Sequence, residues 1–128
     1  MSVALNHTII ACRDQQRSAA FLSEILGLPA ATRFARFLVV ETDNGVSLDF
    51  AETESAITTQ HYAFLTGEDE FDVIFGRITD RGIQYWADPG RSRPGEINRN
   101  DGGRGVYFAD PDGHLMEVIT RPYGSGSS

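Results

Sequence analysis

Residues 111–120 read PDGHLMEVIT, and this stretch decides how the chain folds. The PDG triplet is typical of a tight turn, and the apolar run after it predicts a β-strand. Glu117 lies inside that run, flanked by Met116 and Val118. A carboxylate there must either face solvent or have a partner, because burying an uncompensated charge costs more than a small domain can offset.

The sequence repeats one pattern in two halves. The first strand of each half carries a histidine, His7 or His61, and an amphipathic helix follows it. The last strand of each half follows an Asn-Gly or Asp-Gly turn, and an acidic residue, Asp49 or Glu117, lies four residues after the glycine. This agreement predicts a duplicated strand–helix–strand–strand–strand module, with copies at about 4–52 and 58–120.

The individual segments support this order. In the first half, ALNHTIIAC predicts a strand, DQQRSAAFLSEILGL a helix capped by Asp14 and ended by Gly27, and RFLVVET and VSLDFAE a hairpin. In the second half, QHYAFLT, IQYWA, RGVYFAD and HLMEVIT predict strands, and DEFDVIFGRITDRG predicts a helix ended by Gly82. A long loop rich in Gly, Pro and Asn spans 88–103. The fold class expected is α+β.

Composition narrows the class of protein. A chain of 128 residues fits a single domain, expected at 1–120 with a flexible tail at 121–128. The net charge of −7 argues against binding nucleic acids or anionic membranes. Cys12, the one cysteine, cannot form an internal disulfide. No apolar run reaches membrane-spanning length and no signal sequence opens the chain, so we expect a cytoplasmic protein.

The duplication suggests the missing partner. Two modules related by a pseudo-twofold axis would set His7 opposite His61 and Asp49 opposite Glu117, and strand alternation would place them on one inner face. Two imidazoles and a carboxylate suit a first-row transition metal. We therefore predict a divalent cation held by His7, His61 and Glu117. Asp49 is either a fourth ligand or a carboxylate just outside that orients a histidine. Asp49 and Glu117 are also the candidates for a catalytic base.

Several other side chains are candidates for substrate contacts. The loop at 88–103 and the residue after it carry arginines in an otherwise acidic protein, and a mobile flap there could bring an arginine such as Arg104, or Asn98 and Asn100, to an anionic substrate. Solvated loop charge is the plainer interpretation. Trp86, at a strand end just before the loop, either lines the pocket or packs in the core.

The chain resembles the vicinal oxygen chelate superfamily, which includes glyoxalase I, extradiol dioxygenases, fosfomycin-resistance thiol transferases and bleomycin-resistance proteins. The resemblance rests on LNH in the first strand and on GVYFADPDGHLMEV near the end, and it covers Leu5 to about Thr120. It implies two paired βαβββ modules forming an open, cupped, mixed sheet, usually in a homodimer. It also implies His7, His61 and Glu117 as metal ligands and Tyr107 as a substrate contact.

The resemblance implies an enzyme that uses a divalent metal (Fe, Zn, Ni, Mn or Co) on a small oxygen-chelating substrate, by lyase, isomerase or dioxygenase chemistry. The alternative is a metal-free protein that sequesters a small molecule, as bleomycin-resistance proteins do. Two positions depart from known branches of the superfamily. Glyoxalase I-like members carry Glu where this chain has Asp49, and fosfomycin transferase-like members carry a reactive threonine where this chain has Ile9.

Overall fold

The structure is a computed structural model that describes residues 2–126. Its contacts divide the chain into two compact units, one ending at Thr58 and the other beginning at Thr59. Each unit has the element order βαβββ, which confirms the α+β class and the duplicated module. Among the described residues, no helix is both long and apolar enough to span a membrane.

The first unit is a four-stranded sheet covered on one face by a helix. In chain order its elements are β1 (His7–Cys12), α1 (Gln15–Leu26), β2 (Thr32–Phe34), β3 (Phe37–Glu41) and β4 (Ser47–Glu52). The sheet order is β1-β4-β3-β2, with β1 parallel to β4 and the other pairs antiparallel. The helix begins as predicted, because Asp14 accepts a hydrogen bond from the Arg17 amide at 3.1 Å. It ends at Gly27, which has φ of 72°.

The second unit repeats this topology. Its elements are β5 (His61–Leu65), α2 (Glu68–Asp80), β6 (Tyr85–Trp86), a 3₁₀ turn (Asn100–Gly102), β7 (Gly105–Ala109) and β8 (Leu115–Ile119). The sheet order is β5-β8-β7-β6, again with the first pair parallel and the others antiparallel. The histidine therefore lies on an edge strand and the acidic residue on the interior strand beside it, in both units.

Apolar side chains fill the space between each sheet and its helix. In the first unit, Ile10, Val40 and Phe50 on the strands are fully buried, as are Ala19, Leu22 and Ile25 on α1. In the second, the buried set on the strands is Val106, Phe108, Met116 and Val118, and that on α2 is Phe71, Ile74 and Ile78. These positions alternate along each strand with the histidine and acid positions. The helix covers one face of each sheet, and the candidate ligands lie on the other.

The turns that precede the two acid-bearing strands depend on glycine. Gly45 and Gly113 have φ of 82° and 89°, in the left-handed region that side chains with a Cβ disfavour. Both turns deliver the acidic residue to the third position of its strand. The glycine turns that are recognisable in the sequence therefore also determine where Asp49 and Glu117 lie on their strands.

The turn between β7 and β8 contains a buried carboxyl group. Asp110 Oδ1 accepts hydrogen bonds from the amides of Asp112 and His114, each at 2.9 Å. Asp110 Oδ2 is buried and has no hydrogen-bond partner within residues 2–126. The His114 ring is buried too, and its Nδ1 accepts from the Gln60 amide at 2.9 Å, so this histidine holds the start of β5 against the turn. Burial raises the pKa of Asp110 above its ordinary value, against the effect of its two hydrogen bonds.

Two glycine substitutions separate the effect of backbone conformation on stability from the effect of packing. A Cβ at Gly45 or at Gly76, inside α2, would meet nothing within 4 Å. We expect Gly45→Ala to lower the free energy of unfolding by about 1–2 kcal/mol, because an L-residue is strained at its positive φ. Gly76→Ala should raise it by about 0.5–1 kcal/mol, because alanine favours a helix interior. Urea unfolding of both variants would test this, and effects of the same sign would contradict it.

Because Asp110 is buried, we expect Asp110→Asn to raise the stability of the protein by an amount that depends on pH. Because folding raises its pKa, the protonated carboxyl is favoured in the folded state, and the corresponding stability is lost as pH rises through the folded-state pKa. Asparagine keeps the Oδ1 acceptor and does not ionise. We expect Asp110→Asn to be more stable than the wild type at pH 7, with an advantage that shrinks toward pH 3.5. Urea midpoints at both pH values measure it, and a variant equally destabilised at both would contradict it.

Candidate functional site

The second sheet brings four of the predicted site residues to one face. Glu117 on β8 lies opposite Tyr107 on β7, and Tyr107 lies opposite Trp86 on β6. On its other side Glu117 lies opposite Ala63, two residues after His61 on β5. Paired residues project to the same side of a sheet, so His61, Glu117, Tyr107 and Trp86 share one face. We call these four residues the Glu117 face.

The Glu117 carboxylate is fully buried, and it has its partners within this unit. Its Oε1 lies 2.8 Å from His61 Nε2. Its Oε2 accepts a hydrogen bond from the Tyr123 hydroxyl, and that hydroxyl lies 2.8 Å from the hydroxyl of Tyr107. The His61 side chain is 45% exposed whereas that of Glu117 is 1% exposed. The carboxylate therefore lies beneath an imidazole that solvent, or a ligand, can reach.

Aromatic side chains surround this pair. The rings of Tyr107 and His61 have centroids 5.8 Å apart. Trp86 is nearly buried, and the Arg91 guanidinium lies 4.8 Å from the centre of its indole ring. Burial, and after it the neighbouring Glu117 carboxylate, raise the pKa of Tyr107 above its ordinary value. The Tyr107 hydroxyl therefore keeps its proton at neutral pH and can donate it in a hydrogen bond.

The first sheet arranges His7 and Asp49 in the equivalent way. Asp49 on β4 lies opposite Ile9, two residues after His7 on β1, so His7 and Asp49 share a face. Asn6 Oδ1 lies 2.8 Å from His7 Nδ1. An amide oxygen only accepts hydrogen bonds, so this contact favours the tautomer with the proton on Nδ1, in which Nε2 keeps its lone pair. Asp49 is 9% exposed, and its Oδ1 is buried without a hydrogen-bond partner in the described part of the chain.

Each unit holds part of the predicted ligand set. Among residues 2–126, neither unit gathers three or more His, Cys, Asp or Glu side chains around a common point. The second unit supplies the pair His61 and Glu117, and the first supplies His7 with Asp49 beside it on the same face.

Two predicted substrate contacts have other roles in the structure. Arg104 directly precedes β7, and by the alternation of that strand its side chain lies on the face opposite Glu117. There its Nε lies 2.8 Å from Glu68 Oε1 and its Nη1 lies 2.8 Å from Asp72 Oδ1. Its guanidinium also lies 4.6 Å from the ring centre of Phe71. Asn100 is exposed and begins the 3₁₀ turn, with its amide donating to Asn98 Oδ1 at 3.2 Å. Arg104 thus ties α2 to its sheet, and Asn100 belongs to a turn.

The predicted flap is held by its own hydrogen bonds. At one end, Asp88 Oδ1 accepts from the amides of Ser92 and Arg93 at 3.0 and 2.9 Å. At the other, Asn98 is buried and its Nδ2 donates to the Ala87 carbonyl at 2.9 Å. The segment is a folded loop that packs beside Trp86, and the mobile flap, one of the two alternatives considered for it, stays a prediction.

Two residues that contact the candidate ligands were not predicted from the sequence. Asn6 was visible only as part of the LNH motif. Tyr123 lies in the segment predicted to be a flexible tail, 121–128, and no strand or helix periodicity relates it to Glu117. The structure describes that segment as far as Gly126, with Tyr123 on Glu117, whereas Ser127 and Ser128 lie outside the described residues.

Comparison with known proteins gives relatives over nearly the whole chain. Two solved structures, Oxidase ChaP-H1 and Oxidase ChaP-H2, are each 60% identical to it, with TM-scores of 0.94 and 0.96. They cover 96% and 99% of this chain, which in turn covers 99% and 100% of theirs. The Glutathione transferase FosA of Serratia marcescens is 31% identical over 124 residues, covering 92% of this chain and 81% of that protein.

A family model also matches. It is described as the Glyoxalase/Bleomycin resistance protein/Dioxygenase superfamily, and it matches residues 4–118, which span both βαβββ units. The two βαβββ units and the relatives agree with it. The chain belongs to the Glyoxalase/Bleomycin resistance protein/Dioxygenase superfamily.

Proposed function

We propose that this protein is a metal-dependent oxidase that acts on a small substrate with two adjacent oxygen atoms, and that His7, His61 and Glu117 hold the metal. The observation that carries the proposal is the Glu117 carboxylate, buried beneath His61 on a face that also carries Tyr107 and Trp86. The 60% identity to two solved oxidases supports the choice of reaction.

The chemistry of the donor atoms fits a first-row divalent metal. Imidazole nitrogen and carboxylate oxygen bind such ions at about 2.0–2.2 Å, so two neighbouring ligands at right angles lie about 3 Å apart. His61 Nε2 and Glu117 Oε1 are separated by 2.8 Å, close to that spacing. His7 offers the lone pair of Nε2 in the tautomer whose Nδ1 donates a hydrogen bond to Asn6 Oδ1. Two histidines and one carboxylate leave further coordination positions open to a substrate.

When bound, a redox-active metal such as iron would supply a Lewis acid for the substrate oxygens and an electron path to dioxygen. The protein's own groups would bind and orient the substrate. Trp86 and Tyr107, both nearly buried, share a sheet face with His61 and Glu117, so the site would have an aromatic wall, which suits an aromatic substrate.

We assign the catalytic base to Asp49. It shares a face with His7, and its buried Oδ1 has no hydrogen-bond partner within residues 2–126. A buried carboxylate oxygen without a partner is costly, and a substrate hydroxyl would satisfy it. From that hydrogen bond, Asp49 can accept the proton of the substrate hydroxyl. Glu117 is already engaged at both oxygens and is the poorer base.

Glutathione transfer, the activity that the name of the FosA relative gives, is less well supported. The position two residues after the first histidine holds Ile9, which is 53% exposed and offers no hydroxyl group. Ile9 lies on the same sheet face as His7 and Asp49. An apolar side chain there suits a hydrophobic substrate.

We also propose that the working form is a homodimer. The strands that carry the histidines, β1 and β5, are the edge strands of their sheets. On the histidine faces, Ile9 and Leu65 are 53% and 61% exposed, and Leu5, just before β1, is 68% exposed. A second copy would cover these apolar side chains and the strand edges. The second copy also carries a His7 that could complete the metal site, since each unit of one chain supplies only part of the proposed ligand set.

The metal content of purified protein tests the ligand assignment. We expect about one iron or other first-row metal per chain in the wild type after reconstitution, and a loss of at least about tenfold in affinity in His7→Ala, His61→Ala and Glu117→Ala. Glu68→Gln is the matched control, because Glu68 pairs with Arg104 on the α2 side. A wild type that binds no metal would overturn the proposal and favour a metal-free binding protein.

If Asp49 is the base, its substitution should reduce turnover without reducing metal binding. We expect Asp49→Asn to retain its metal and to lose about 10²–10⁴-fold in kcat, as removal of a general base does. Oxygen uptake by the iron-loaded enzyme, with a panel of aromatic compounds that carry two adjacent oxygen atoms, would measure it. Full activity in Asp49→Asn would contradict the assignment, and no uptake with any compound would contradict the oxidase reaction.

A further inference from the structure

The C-terminal segment after β8 returns to the Glu117 face. Arg121 to Gly126 lie beyond the last strand, and Tyr123 contacts Glu117, six residues earlier in the chain. The Tyr123 hydroxyl touches two groups there: it donates to Glu117 Oε2, and it lies 2.8 Å from the Tyr107 hydroxyl. The contact thus joins two residues to which the proposed site already assigns roles.

We propose that Tyr123 is a positioning residue of the metal site: its hydroxyl holds Glu117 Oε2, so that Oε1, beside His61 Nε2, is the oxygen left to bind a metal. This inference rests on the proposed function. A carboxylate can bind a metal through one oxygen or through both, and a hydrogen bond to one oxygen favours the first mode. Binding through one oxygen leaves a coordination position open, which a substrate with two adjacent oxygens requires.

The segment that carries Tyr123 is fixed by contacts of its own. Asp101 Oδ1 accepts hydrogen bonds from the amides of Gly124 and Gly126, at 3.1 and 3.3 Å. Arg121 Nη2 donates to the Ser125 carbonyl at 3.1 Å. Asp101 lies in the 3₁₀ turn with φ of 57°. These bonds hold Tyr123 over Glu117 although half of the tyrosine side chain (53%) is exposed.

The exposure of Tyr123 distinguishes its role from that of a core residue. An exposed ring contributes little to folding by burial. Its hydroxyl, in contrast, meets a carboxylate that is fully buried and needs hydrogen-bond donors at both oxygens. Removing the hydroxyl alone should therefore change the ligand environment while leaving the fold intact.

Titration of the metal-free protein with Co²⁺, in the absence of substrate, tests this inference. We expect Tyr123→Phe to weaken Co²⁺ binding by about 10-fold or more. Its visible absorption should also fall, because a freed Oε2 can coordinate and a higher coordination number lowers the absorption of Co²⁺. Tyr85→Phe is the matched control, since Tyr85 packs edge-on against Phe75 on the opposite face, with centroids 5.0 Å apart. The control should match the wild type in both affinity and spectrum.

A second pair of variants tests the segment rather than the hydroxyl. Asp101→Ala removes the acceptor that holds Gly124 and Gly126, and it should weaken Co²⁺ binding in the same direction as Tyr123→Phe. Asp101→Asn keeps the oxygen acceptor and tolerates the positive φ, so it should bind Co²⁺ as the wild type does.

The outcomes separate this inference from the function on which it rests. Tyr123→Phe with wild-type affinity and spectrum would overturn the inference while the metal site stood. A wild type that binds no Co²⁺ would overturn the proposed function, and the inference with it.

Discussion

The hydrogen-bonded burial of one carboxylate constrains much of the second unit. Glu117 lies on the interior strand β8, with no exposed surface, and a charge in that position must be matched by donors. His61 comes from the edge strand beside it, and Tyr123 from the segment after the sheet. The turn that sets the register of β8 depends on Gly113 and on the amides that donate to Asp110. A shift of one residue along β8 would turn Glu117 toward α2 and separate it from all of these groups.

Duplication explains why the first unit carries a histidine and an acidic residue, His7 and Asp49, in the same arrangement as His61 and Glu117. In both units the acidic residue lies opposite the second residue after the histidine, on the strand next to the sheet edge. The two copies have diverged in what satisfies the acid. Glu117 has His61 and Tyr123, whereas the buried oxygen of Asp49 lacks a hydrogen-bond partner within residues 2–126. This difference fits the roles that we propose for the two residues. Glu117, as a metal ligand, has to be held in place, whereas Asp49, as a base, has to remain free for a substrate.

The sequence predicted the elements whose signals are local. Asp14 and Gly27 bounded α1 correctly, and the glycine turns placed Asp49 and Glu117 on their strands. The short strand β2 was not located, because its three residues, Thr32–Phe34, are all exposed and show no alternation. The shared face of Glu117 and Tyr107 followed from alternation once the strands were known. The pairing of Arg104 with α2 did not, because it depends on which strand face the helix covers.

The contact between Tyr123 and Glu117 lay further beyond prediction. It depends on the path of an irregular segment fixed by Asp101, and the Gly- and Ser-rich composition there favours disorder. The residues of the candidate site were thus predictable where strand geometry carries them. They were not predictable where a loop or terminus folds back through side-chain hydrogen bonds.

Anomalous diffraction from a crystal of the metal-loaded protein, measured at the absorption edge of the metal, tests the central claim most directly. We expect one anomalous peak per chain, about 2.0–2.2 Å from His61 Nε2, Glu117 Oε1 and a His7 Nε2. That His7 would come from the same chain or from the second copy. No peak beside Glu117, or a metal bound elsewhere without these three side chains, would contradict it.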